Sequence, residues 1–172
     1  MLVGNVLTAQ SPLFGIYTKW SDSFVSWEII NEDEDVVGSI EQLWMQQNNW
    51  KEWRVEIDGH SGIIRQKWKD DPSQWNVTLD EEIVNAQTRW TGDFKNWRIT
   101  NNDIALNLEC KYGNVINEWL INDKNYGTLR LRTLEENDPR DWIIEDDLDE
   151  SVPIAIRMAA VFLAVFNSSP KL

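Results

Sequence analysis

The sequence predicts a mainly β fold: a closed antiparallel barrel of about twelve strands, drawn as six Trp-marked hairpins around a hydrophobic C-terminal α-helix. Three observations predict it. Trp recurs at a nearly constant interval, each recurrence opens a stretch of alternating apolar and polar residues, and a long apolar segment follows the last of them.

The repeats begin at Trp27, Trp53, Trp75, Trp97, Trp119 and Trp142, at spacings of 26, 22, 22, 22 and 23 residues. Within each, side chains alternate with the period of two that a strand imposes. Trp53, Val55 and Ile57 share one face, as do Trp75, Val77 and Leu79, while Arg54, Glu56, Asn76 and Thr78 take the other. The half-repeat before each Trp behaves alike: Ile104, Leu106, Leu108, Cys110 and Tyr112 alternate with polar neighbours, and Val84, Ala86, Thr88 and Trp90 match them one repeat earlier. Turn signals such as Asp58-Gly59, Asp70-Asp71-Pro72 and Asn101-Asn102-Asp103 separate the halves. A second aromatic stands seven residues before the anchor at Trp20, Trp68, Trp90 and Tyr112, but Gln46 and Glu135 hold that place in the second and sixth repeats. Aliphatic partners two positions after every anchor make the Trp ladder core.

After the acidic run 145–150 come Ser151, expected as the N-cap, and Pro153 in the first turn. Residues 154–166, IAIRMAAVFLAVF, are apolar nearly all round, with Arg157 the one charge. Such a helix is buried, and at about 20 Å it falls short of a bilayer's ~30 Å core. A barrel of about twelve strands is too wide for side chains alone to fill, and a helix about 10 Å across suits the lumen. One domain is expected over 1–172, with strands over about 14–146 and the helix over about 152–167. A β-trefoil would leave the apolar segment without a place, and twelve strands would make only three blades of a propeller.

In these residues the chain resembles the tubby-like superfamily, which includes the tubby C-terminal domains, the phospholipid scramblases and the LURP-one-related proteins. The resemblance spans about 14–166 and rests on the six W-x-[IV]-like units and the terminal IAIRMAAVFLAVF. It implies a twelve-stranded barrel around a hydrophobic helix. Tubby proteins hold phosphoinositides through clustered basic residues, and no such cluster maps onto this chain. Scramblases carry a calcium-responsive acidic segment and a Cys-rich stretch, whereas this chain has only Cys110. No functional residue carries over.

Charge narrows the partners. Sixteen Lys+Arg against 29 Asp+Glu leave a net charge of −13, which opposes nucleic acid and disfavours anionic membranes. One Cys excludes an internal disulfide, and the N-terminal stretch lacks the basic start of a signal peptide, so a cytoplasmic protein is expected; a monomer is expected as well. His60 sits in an expected hairpin turn, and Cys110 on the inward stripe, so the two do not read as a catalytic pair. The acidic runs 32–35 and 145–150 lack EF-hand spacing; Asp146, Asp147, Asp149 and Glu150 are the candidate metal ligands, and solvated charge is the plainer reading. Arg157 requires an internal carboxylate or carbonyl partner. Trp44 and Trp50 fit the repeat least well and are the candidate ligand-binding aromatics. The expected function is a non-enzymatic binding or scaffold module, without cofactor, for a protein or small apolar ligand. A lipid-associated, scramblase-like module and an enzyme with its site at the barrel mouth are the alternatives.

Overall fold

The computed structural model describes residues 11–44, 50–112 and 115–171. Twelve strands follow one another: β1 (Gly15–Thr18), β2 (Ser26–Ile30), β3 (Val36–Gln42), β4 (Glu52–Ile57), β5 (His60–Gln66) and β6 (Gln74–Leu79). β7 (Glu82–Thr88), β8 (Asn96–Thr100), β9 (Ala105–Tyr112), β10 (Val115–Asp123), β11 (Gly127–Thr133) and β12 (Asp141–Leu148) complete them, and α1 (Ile154–Ser168) ends the fold. Each strand pairs antiparallel with its neighbours in sequence, and β1 returns to β12 through Gly15↔Ile143, Ile16↔Trp142 and Tyr17↔Asp141. The barrel is therefore closed, with no unpaired edge.

All six anchors lie in even-numbered strands and are at most 2% exposed. A buried indole needs a partner for its N–H. In five repeats Nε1 donates to the backbone carbonyl three residues earlier, at Phe24, Trp50, Pro72, Phe94 and Pro139, over 2.8–3.1 Å. The sixth, Trp119, donates instead to Ser168 Oγ at 2.8 Å, tying the helix end to the wall. Close strand approach explains Gly62 in β5: a Cβ there would lie 1.8 Å from the carbonyl oxygen of Thr78 in β6.

The helix fills the lumen, buried from Ala155 to Phe166. Phe162 meets Trp53 and Trp75 edge-on at 5.6 and 4.9 Å between ring centroids, and Phe166 meets them at 6.2 and 4.9 Å. Its start differs from expectation. Pro153, not Ser151, stands at the N-cap, and α1 begins at Ile154 and ends at Ser168. Ser151 is committed elsewhere: its N–H bonds to Asp149 Oδ1 at 2.9 Å, in a turn that also draws Val152 N–H to the Asp149 carbonyl.

That turn delivers Arg157 its partners. Its guanidinium pairs with Asp146, whose side chain is 1% exposed, and also bonds to the carbonyls of Val152, Leu148 and Asp149 at 3.1, 3.3 and 2.7 Å. Asp146 also accepts from Ser11 Oγ and from Leu148 N–H. The internal ion pair expected for Arg157 thus forms, near one mouth.

The outward wall is polar. Glu118, Arg130, Glu145 and Arg132 form a ladder of ion pairs at 3.4–3.6 Å across β10, β11 and β12. On β1, Tyr17 donates to Glu28 at 2.7 Å, and that bond holds its phenol up at about 12. This wall is the reverse of the apolar band of a membrane barrel. Among the described residues no helix is long and apolar enough to cross a membrane.

Candidate functional site

The two ends of the barrel differ in chemistry. Odd-numbered strands and α1 run toward one end, where a repeated device caps each strand. After the odd strand, one further N–H bonds back to the start of the following even strand: Lys19 to Ser26, Leu43 to Glu52, Lys67 to Gln74, Arg89 to Asn96 and Leu134 to Asp141, at 2.9 Å each. The next residue is Trp20, Trp44, Trp68, Trp90 or Glu135, and Tyr112 follows Lys111 at the corresponding seven-residue spacing from Trp119.

In four repeats the same tight turn comes next. The carbonyls of Trp20, Trp68, Trp90 and Glu135 accept from the N–H of Ser23, Asp71, Asp93 and Asp138 at 3.1–3.3 Å. Those Ser and Asp side chains then accept from the N–H two residues on, at 2.9–3.4 Å. Asp70, Gly92 and Asn137 occupy the left-handed position, which residues of these types tolerate. Trp44 itself has φ 59, an uncommon conformation for so large a side chain.

The aromatics placed in this way are surface residues. Trp20, Trp44, Trp68, Trp90 and Tyr112 are 44–66% exposed. Four lie against the cation that precedes them: Lys19 at 5.2 Å from the ring centroid, Lys67 at 5.6 Å, Arg89 at 4.5 Å and Lys111 at 5.3 Å. Each such contact contributes about 0.5–1 kcal/mol at an exposed site, enough to orient a ring but not to bury it. The result is a rim of exposed aromatics around one mouth, four of them against a cation, in turns that also carry Asp22, Asp70, Asp71, Asp93 and Asp138.

The expectation that Trp90 and Tyr112 belong to the buried stripe is therefore corrected. Their parity is that of the inward face, but the stripe leaves the barrel at Thr88 and Cys110, and the residues beyond meet water. Just inside the rim, opposite each anchor, stand Thr18, Gln42, Gln66, Thr88, Cys110 and Thr133. Gln42 is 3% exposed, and neither amide atom has a hydrogen-bond partner among the described residues.

The two candidate aromatics separate. Trp44 is the most exposed member of the rim and fills the place that Gln46 seemed to leave empty. Trp50 stands where Phe24 and Phe94 stand in other repeats. It is half-buried, its ring is 5.9 Å from Trp53 and 6.5 Å from Phe166, and its carbonyl receives the Trp53 indole. The exposure of the other rim aromatics was not read from the sequence, although a signal accompanied them: Lys or Arg immediately precedes Trp20, Trp68, Trp90 and Tyr112.

The opposite end is acidic, its hairpins carrying Asp33, Asp35, Asp58, Asp80, Asp103 and Asp123. Here a cleft of about 830 Å³ opens between the start of β1, the end of β12 and the start of α1. Of the four candidate metal ligands, Asp146 is held by Arg157 and Asp149 caps the turn at Ser151, whereas Asp147 and Glu150 are exposed at the cleft. Among the described residues no three His, Cys, Asp or Glu side chains are grouped to hold a metal ion. Millimolar calcium should accordingly leave the thermal midpoint unchanged. A bound ion at a hundredfold excess over its Kd would add about 2.7 kcal/mol, a shift of several degrees that calorimetry would detect.

His60 opens β5 at this acidic end, where Nδ1 contacts Asp80. Cys110 lies toward the rim end, its thiol pushed up by burial and bonded to the Tyr112 carbonyl at 3.5 Å. The two are at opposite ends of the barrel and cannot act together. No family model, curated protein or solved structure matches this chain.

Proposed function

We propose that this chain is a non-enzymatic, cytoplasmic binding module of tubby-like architecture whose docking face is the aromatic rim. One observation carries the reading: five exposed aromatic rings recur at one structural position, four beneath a cation of their own. The barrel does not need them, because the anchors and the helix already fill its interior. Trp, Tyr and Arg dominate the energetics of protein interfaces, where a rigid aromatic surface loses little entropy on binding.

Substitution separates rim from core. Trp68→Ala with Trp90→Ala should cost no more than about 1–2 kcal/mol, the two cation contacts it removes, and lower the thermal midpoint by only a few degrees. Trp75→Ala should cost about 3–5 kcal/mol, the usual cost of truncating a buried Trp. Affinity capture with the wild-type chain and with the rim variant then tests the function. A partner retained by the first and lost by the second is the expected result. A rim variant that melts as early as Trp75→Ala would make the rim structural and remove the proposal.

A lipid-associated module is the second reading, favoured by the preference of Trp and Tyr for the bilayer interface. The net charge of −13 argues against it for anionic membranes, and against duplex DNA. Flotation with anionic vesicles and a DNA gel shift, both at ~0.15 M salt, should be negative. Flotation at nanomolar affinity would favour lipid over protein as the partner.

A further inference from the structure

We infer that the barrel seats end-on against a zwitterionic membrane surface, the rim aromatics entering the headgroup layer of phosphatidylcholine; this rests on the rim being the docking face and gives the lipid reading a definite surface. The strand register sets the geometry. From each anchor, the residue directly across two strands lies two positions beyond the next anchor. Trp27 leads through Ile40 to Val55, Trp53 through Ile64 to Val77, and Trp75 through Ala86 to Ile99. Trp97, Trp119 and Trp142 lead in the same way to Ile121, Ile144 and Ile29. Every repeat therefore advances by two strands and two residues, and six equal steps close the barrel. Equivalent positions are related by rotation about the barrel axis and stand at one height. With strands ~4.8 Å apart and ~3.3 Å per residue, neighbours are about 12 Å apart and the ring is about 24 Å across.

Trp20, Trp44, Trp68, Trp90 and Tyr112 hold one such position, two residues beyond the partner of each anchor, and Glu135 leaves the single gap. A level ring of this width engages all its members at once only on a flat surface, and a bilayer is flat. Trp and Tyr are the side chains that settle at headgroup depth. Charge selects the kind of bilayer. Lys19, Lys67, Arg89 and Lys111 lie against the rings, while the turns that follow carry carboxylates in about equal number, so the rim presents both signs. A phosphatidylcholine headgroup also carries both. Its phosphate suits the cations, which extend beyond their own apolar stems. Its quaternary ammonium suits carboxylates and indole faces. An anionic headgroup offers the phosphate alone and is repelled by a net charge of −13.

Flotation of the full chain with vesicles of pure phosphatidylcholine, at millimolar lipid, tests this. The wild type should float, should still float at ~0.5 M salt, where charge attraction is screened, and should float less as phosphatidylserine replaces phosphatidylcholine. Trp68→Ala with Trp90→Ala should lose most of the binding at a temperature where its melt shows it folded. Ile83→Ala should keep it, because Ile83 is 60% exposed but lies on the outward wall of β7. A wild type that stays with the unbound fraction overturns the inference. So does a rim variant that floats as the wild type does, or binding that strengthens with phosphatidylserine. If phosphatidylcholine vesicles fail while Trp68→Ala with Trp90→Ala abolishes capture of a protein, the membrane is the wrong partner and the rim remains a docking face.

Discussion

A chain truncated after Glu150 should yield no cooperative thermal transition and should bind a hydrophobic dye, because it loses the material that fills the lumen. Ile156, Met158, Val161, Phe162, Leu163 and Val165 are all at most 1% exposed. Each contributes roughly 1.5–3 kcal/mol when fully buried, and their sum reaches the ~5–15 kcal/mol net stability of an ordinary domain. The strands would not recover this by collapsing. A barrel of this strand number is too wide for its own side chains to close, and Val84, Leu106 and the Trp anchors would face a void or water. Ala160→Arg tests the same point without truncation, since Ala160 is wholly buried, and should prevent stable folding. A cooperative melt from residues 1–150 would show that the barrel stands without its helix and would refute the central-helix account.

Arg157→Met should cost about 3–5 kcal/mol, because it strands the Asp146 carboxylate in the interior without its cation. The carbonyls of Val152, Leu148 and Asp149 would lose donors at the same time. Asp146→Asn should be nearly as damaging from the other side. Replacing both, as Arg157→Met with Asp146→Leu, should recover much of the loss, since a well-packed apolar pair is often no worse than a buried ion pair. Urea unfolding would measure each as a shift in midpoint at constant slope. Additive losses in the double variant would show that the two residues act separately, contrary to the geometry described.

The architecture was readable because burial leaves a periodic mark. Six anchors followed by aliphatics at every second position read as strands with one buried face, and a segment apolar all round, too short to span a bilayer, read as the helix inside them. The strand pairing then followed the chain order. What could not be read were features on which periodicity is silent. Parity states which face a side chain takes, not where the barrel stops, so Trp90 and Tyr112 looked buried. A two-residue insertion before Trp53 displaced Trp44 from its frame and made Trp50 look irregular, although hydrogen bonding returns both to the repeat. Ser151 had the composition of an N-cap, but Asp149 captured its N–H first. A carboxylate partner for Arg157 was foreseeable on energetic grounds, whereas its identity as Asp146 required the path of the β12–α1 turn.

The order of elements along the chain has a kinetic consequence. Closure joins β1 to β12, and the helix around which the wall wraps comes after both. During synthesis every strand emerges before its packing partner exists, exposing six indole-rich hairpins whose inner faces have nothing to bury against. Neighbouring hairpins can form early, since their contacts are local, but the lumen stays unfilled until α1 is complete at Ser168. Such dependence on contacts between distant parts of the chain slows folding and prolongs the exposure of aggregation-prone surface. The interval before α1 emerges is therefore when the chain is most prone to aggregate.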